Sequence, residues 1–248
     1  MPKRSFPVDL NEKTAGDTAS LDQILYRVGG IAALLLAIVY VIIVLLYARV
    51  GAPPSGADAW FRYLAGKTTI WWWILGLSVF TDFLYVPVAL ALYLALKEAS
   101  RNAMLLATAS VGLFVVLDLA VTWSHYASIL TLYGEYSRVS DEAQRAGYLA
   151  AANYASAVLT SRLEIVYAIV TLSFGILVIG FVMLRGVFHK ITAYLGLATG
   201  ILGIAALTRL SLAIIGNALC ATVWLFLVGY RLYQLAQDSP RLEAKPRR

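Results

Sequence analysis

Long runs of apolar residues alternate with short polar punctuation along this chain. Six runs approach or exceed the roughly 20 residues a helix needs to cross a hydrocarbon core. They cover about 28–48, 69–96, 103–132, 163–184, 191–207 and 211–233. Within each run the apolar residues fill every face, as expected of helices buried in lipid or in one another. The fifth is short, and only Thr208, Arg209 and Leu210 separate it from the sixth, so these two form a tight hairpin. The pattern predicts an all-α, polytopic transmembrane bundle of six spans. It is a single transmembrane domain with a polar N-terminal tail over 1–20, the bundle over about 21–235 and a basic tail over 236–248.

The punctuation predicts local structure as well. Ser20 and Gln23 have capping-box spacing, which starts helix 1 near Leu21; Ser161 and Glu164 repeat it before the fourth span. "GAPPSGADAWFRYLAGK" (51–67) reads as a turn and a short interfacial helix with Trp60, Phe61 and Leu64 on one side. The alanine-rich stretch 140–159 reads as an outer helix, with a seventh span as the weaker alternative because Asn153 interrupts it. Trp71, Trp72 and Trp73 read as an interfacial aromatic belt at the outer end of span two.

Composition agrees with the pattern. The chain is 60% hydrophobic and 14% charged over 248 residues, with mean hydropathy +0.76; a soluble domain carries about 25% charged residues. The net charge of +6 therefore records topology and anionic lipid rather than nucleic acid. The chain through Arg27 holds four basic residues, the 97–102 and 185–190 loops two each and the end from Arg231 onward five, against three, three and one on the other side. Both termini are expected in the cytoplasm. No cleavable signal peptide is expected, since the first apolar run follows a polar tail of about 26 residues without an A-x-A-like site. Cys220 is the lone cysteine, which excludes an internal disulfide and a multi-cysteine metal site.

Five stretches, "ASLDQILYRVGGIAALL", "TDFLYVPVALALYLALK", "RAGYLAAANYASAVL", "VMLRGVFHKITAYLGLATGILGI" and "NALCATVWLFLVGYRLYQL", resemble an uncharacterised family of six-span bacterial and archaeal integral membrane proteins, a domain of unknown function. The resemblance spans about 20–235. It implies six spans and a prokaryotic cytoplasmic membrane, and it carries no activity or site residues.

The chemistry rests on polar residues inside the spans. Asp82 and Asp118 each lie roughly 22–24 Å along their helices from the loop joining spans two and three, so antiparallel packing brings them level. Ser78, Asp82 and Tyr85 share a stripe of span two. Asp118, Thr122 and His125, at i, i+4, i+7, share one of span three, with His125 nearer the outer surface. Facing stripes would stack aspartate on aspartate and Ser78 on Thr122. A charged aspartate at bilayer depth costs about 2.5–3.5 kcal/mol, and two close carboxylates there do not both ionise. The arrangement suits a shared-proton clasp, a proton relay or a cation site. Pro87 frees the Phe83 carbonyl beside Asp82, though its reading is packing. So is that of the Gly196, Gly200 and Gly203 stripe. Asn217 reads as an interhelical hydrogen bond, Glu164 with Arg162 as helix cap and anchor, and His189 as solvated.

No G-x-S-x-G, H-E-x-x-H, P-loop or Cys/His cluster is present. No cofactor, metal site or catalytic residue is expected. Three functions stay open: a small-solute or proton-linked carrier using the seam between spans two and three, a non-catalytic scaffold or accessory subunit, and, ranked last, an intramembrane enzyme on an apolar substrate. The expected partners are the lipid bilayer and a small ligand of unknown identity. A homo-oligomer or partner membrane subunit stays open.

Overall fold

The computed structural model describes residues 10–208 and 210–243. Among the described residues it is helices joined by short turns and loops, with no strand. Five helices are long and apolar enough to cross a membrane: Ser20–Val50, Thr68–Tyr136, Arg162–Met183, Lys190–Thr208 and Leu212–Asp238. Their outer faces carry exposed Leu45, Val116, Ile201 and Leu212. A soluble protein does not present so continuous an apolar surface; these are the helices of a membrane protein.

Helix α1 (Leu10–Val50) starts earlier than Ser20. No proline interrupts 10–19, where Glu12, Lys13, Ala15 and Ala19 are good helix formers, so the polar segment continues the helix and Ser20 does not cap it. At the other end α9 (Ser211–Glu243) runs on past Leu235. The tails expected over 1–20 and 236–248 are thus helical where described, and residues 1–9 and 244–248 lie outside the described residues.

The second apolar helix is broken once. In α3 (Thr68–Leu117) helical hydrogen bonding continues on both sides of Ser100, which alone is extended (φ −165°, ψ 94°). The expected 97–102 loop is therefore a one-residue break, marked by exposed Glu98, Arg101 and Asn102. The chain folds back there: Tyr85 packs on Phe114 (ring centroids 5.5 Å) and Trp71 on Tyr126 (5.4 Å), pairs placed symmetrically about Ser100. After α3 comes a π-helical turn, Asp118–Trp123, then α4 (Ser124–Tyr136).

The remaining elements are α2 (Ala57–Leu64), α5 (Glu142–Leu159), α6 (Arg162–Ile165), a second π turn at Val166–Val170, α7 (Thr171–Met183) and α8 (Lys190–Ala205), which ends in a 3₁₀ turn. The arms pack as a ring in chain order: α1 on the first arm of α3, the second arm on α7, α7 on α8, α8 on α9, and α9 back on α1. Small residues set the close approaches. Gly29 abuts Pro87 and Ala91, Gly30 abuts Gly229 and Tyr233, and Gly180 abuts Gly196 and Leu197. Gly200 meets Leu177, and Gly203 meets Ser173 and Asn217. Pro87 thus sits in a helix crossing, and the span-five glycine stripe packs against α7 and α9.

A second apolar cluster caps one end. Trp60, Phe61 and Leu64 of α2, expected at an interface, are buried against α4, α5 and Trp71. Asn153 and Ser156 of α5 accept the α2 backbone N–H groups of Ala57 and Gly56, each at 2.8 Å, satisfying orphan donors at the helix start. Asn153 is polar for that reason, and α5 is not among the helices apolar enough to cross a membrane. Trp71, expected in a belt, is fully buried, while Trp72 and Trp73 are exposed. The indole of Trp71 is the core of this cap, in contact with the rings of Tyr47, Trp60, Tyr63 and Tyr126.

Candidate functional site

Between the inner core and the aromatic cap lies a cavity of about 400 Å³. Its walls come from α1, both arms of α3, the two π turns, α4, α6, α7, α8 and α9. The α3 contribution follows from helical periodicity. Ser78, Thr81, Asp82 and Tyr85 share one stripe, and all four are buried. Thr81 satisfies its own hydroxyl by donating to the Ser78 carbonyl at 2.6 Å. The Tyr85 hydroxyl meets that of Tyr40 on α1 at 2.6 Å.

The opposite stripe starts at Asp118 and passes through the first π turn. A π turn holds one residue more than an α turn, so the stripe continues at i+8. Asp118, Thr122 and Tyr126 line the cavity; His125 does not. His125 is half-buried and turned toward Tyr154 of α5 (ring centroids 5.9 Å). Its Nδ1 donates to the Val121 carbonyl at 2.6 Å, holding a carbonyl of the π turn. The sequence stripe failed at that residue because strict 3.6-residue periodicity does not survive the inserted one.

Asp82 and Asp118 come together as their matched depths imply. Asp118 lies within electrostatic reach of Asp82. The Trp123 indole N–H donates to Asp118 Oδ2 at 3.0 Å and also faces the Asp82 carboxyl. Among the described residues, Asp82 Oδ2, Asp118 Oδ1 and Thr122 Oγ1 are buried without a hydrogen-bond partner, although both aspartates are at most 5% exposed. Native interiors rarely leave such atoms unpaired, and here they line a cavity.

Several lining residues escaped the sequence reading. Tyr40 and Tyr47, seven residues apart on α1, line the cavity; two tyrosines on one stripe of an otherwise aliphatic span were the available signal. Glu164 has two roles. Its backbone N–H binds the Ser161 cap at 3.1 Å, and its side chain lines the cavity, which adds a third carboxylate. Arg162 is exposed and does not line it. Asn217 Nδ2 donates to the Thr199 carbonyl at 2.7 Å, joining α9 to α8. Exposed His189 caps α8, its Nδ1 accepting from the Ile191 N–H at 3.3 Å.

The second π turn lies against the first and supplies Ala168 and Ile169 to the same cavity. Thr171 donates to its Val166 carbonyl at 2.7 Å, as His125 does for the first. Such turns recur at functional sites. Among the described residues no group of three His, Cys, Asp or Glu side chains is close enough to hold a metal ion. The cavity is an acidic, aromatic-walled pocket with unpaired acceptors. Its size suits a small molecule.

No protein-family model matches this chain, and no curated protein or solved structure matches it.

Proposed function

We propose that this protein is a multi-pass carrier for a small solute, linked to protons, whose binding site is the cavity between the two arms of α3. The single observation that carries this reading is the pair of buried, unpartnered carboxylate oxygens on Asp82 and Asp118, which line that cavity. Native interiors rarely leave buried polar atoms without a partner, and ionisable groups at bilayer depth are functional candidates by default. The scaffold reading explains neither the cavity nor these atoms. An enzyme with histidine and aspartate as acid and base is disfavoured, since His125 lies on another face, against Tyr154.

In this reading the chain crosses the membrane six times, the two arms of α3 and α4 counting as separate crossings either side of Ser100. The excess of basic residues near the termini and the 97–102 and 185–190 segments puts both termini in the cytoplasm and the α2, α4, α5 cap outside. The membrane is the prokaryotic cytoplasmic membrane of the six-span family the sequence resembles. The carboxyl groups lining the cavity are those of Asp82, Asp118 and Glu164. Alternate occupation of the aspartates by proton and solute would couple the two.

The test is solute-driven proton movement. Full-length protein is reconstituted into vesicles containing a pH-sensitive dye and challenged with panels of amines, amino acids, sugars and carboxylates. At least one class should move the internal pH beyond empty vesicles, and Asp118→Asn and Asp82→Asn should abolish that movement while retaining the wild-type elution profile in detergent. A response from no class, or one the aspartate variants leave unchanged, overturns the reading.

A further inference from the structure

We infer that the cavity selects a small organic monocation, a protonated amine or quaternary ammonium with an apolar substituent. The inference rests on the reading above that this cavity is the working site, and it names the ligand class.

Charge is the first argument. Among the described residues the cavity is lined by the carboxylates of Asp82, Asp118 and Glu164 and by no lysine, arginine or histidine. An anion bound beside Asp82 and Asp118 would face repulsion in a low-dielectric setting. Donor and acceptor supply points the same way. The Trp123 N–H is used by Asp118, the Asn217 amide by the Thr199 carbonyl, and one of the Tyr40 and Tyr85 hydroxyls donates to the other. Asp82 Oδ2 and Asp118 Oδ1 remain as acceptors without donors. A positive charge or a donor entering the cavity can pair with both of these oxygens.

The walls then say what surrounds that charge. Six aromatic rings line the cavity: Tyr40, Tyr47, Tyr85, Phe114, Trp123 and Tyr126. Aromatic faces attract ammonium groups, tryptophan most strongly. The Trp123 indole joins both features, because its edge holds the carboxylate while its ring borders the same space. Most of the remaining lining is aliphatic, including Ile43, Ile169, Leu172 and Ile176, so a fully polar cation would leave it uncovered. A metal ion is a poor fit, since no three ligating side chains converge among the described residues. A volume of about 400 Å³ is at the small end of ligand pockets.

The test compares shape with and without charge. Purified full-length protein in detergent is titrated calorimetrically with benzyltrimethylammonium, with neopentylbenzene as its uncharged isostere, and with benzoate. The cation should bind at least about tenfold tighter than the isostere, the worth of a charge-assisted contact, and benzoate should not bind. Asp82→Asn and Asp118→Asn should each weaken the cation about tenfold or more and leave the isostere unchanged. Trp123→Leu should weaken it several-fold, as a lost cation–π contact does. Equal binding of cation and isostere by wild-type protein overturns the inference whatever the variants do, as does binding of benzoate. Vesicle assays separate this outcome from the carrier reading. Cation binding without flux removes the carrier and keeps the ligand class; proton-linked flux of a neutral or anionic solute does the reverse.

Discussion

Replacing Asp82 by leucine tests whether the aspartate pair is there for stability or for use. Leucine nearly matches aspartate in shape, so the packing of α3 changes little. Asp82 Oδ2 is buried without a partner, and such an atom costs about 1–3 kcal/mol. Its removal recovers that cost, and the Trp123 N–H keeps its 3.0 Å bond to Asp118. What is lost is the weaker approach of the same N–H to Asp82. The net expectation is a gain of about 1–2 kcal/mol, or a rise of about 2–8 °C in unfolding midpoint for a chain of this length. Asp118→Leu should come out near zero, since relief of Oδ1 is offset by the broken indole bond, worth about 1 kcal/mol. The assay is thermal unfolding of the detergent-purified protein, followed by circular dichroism, on wild type, both single variants and the double. A clasp predicts the opposite: breaking a buried paired group costs about 3–5 kcal/mol. A loss above about 2 kcal/mol in Asp82→Leu would refute the claim that this carboxyl is retained at a cost to stability.

Gly200→Ala should cost about 1–3 kcal/mol by overpacking, because its Cβ would sit 2.8 Å from Leu177 Cα and 2.9 Å from its backbone nitrogen. Gly112→Ala, with nothing within 4 Å, should gain up to about 1 kcal/mol from helix propensity; equal midpoints for the two would count against the α7–α8 packing. His125→Ala should lower stability by about 1 kcal/mol through the lost Val121 bond and leave vesicle flux intact, so lost flux in a folded protein would return His125 to the site. In a Cys220→Ala background, a cysteine at exposed Ser140 should react with an impermeant maleimide added to intact cells, and one at exposed Glu98 only after lysis. The reverse pattern would invert the topology.

The fold was legible where one rule acted alone. Apolar runs longer than a bilayer marked the helices, because nothing but burial in lipid or protein accommodates them. Single-residue events were not legible. Ser100 reverses the chain without a glycine or proline to announce it, and α1 begins at Leu10 because ordinary helix formers continue the span backward. At the site, depth counting brought Asp82 and Asp118 together, and Ser78, Tyr85 and Thr122 line the same cavity. The pattern broke where the backbone left its regular period. One added residue in the first π turn sends Tyr126 to the cavity and His125 to α5. Trp71 was hidden for another reason. A run of three tryptophans reads as a belt, and the packing of Tyr47 of α1, Trp60 and Tyr63 of α2 and Tyr126 of α4 covers the first of them while the other two stay outside.

Departures from regular structure gather at one place, and that clustering says more than any single departure. Elsewhere the unusual residues are locally reconciled: Pro87 sits in a glycine-lined crossing, Asn153 caps α2 and Asn217 binds across helices. Trp71 Nε1, Trp224 Nε1 and Thr108 Oγ1 are also unpartnered, but each is a single neutral group, far cheaper to bury than a carboxylate. Among the described residues, unpaired carboxylate oxygens, a third acid and two abutting π turns coincide around the cavity alone. A sequence that satisfies packing rules everywhere else has the means to fill 400 Å³ with leucine. Local rules broken together without compensation mark sites kept for function. The acids and the π turns are therefore best treated as one device: the turns set Tyr126 and Trp123 against the carboxylates, and regularising either turn should disturb ligand binding before it disturbs the fold.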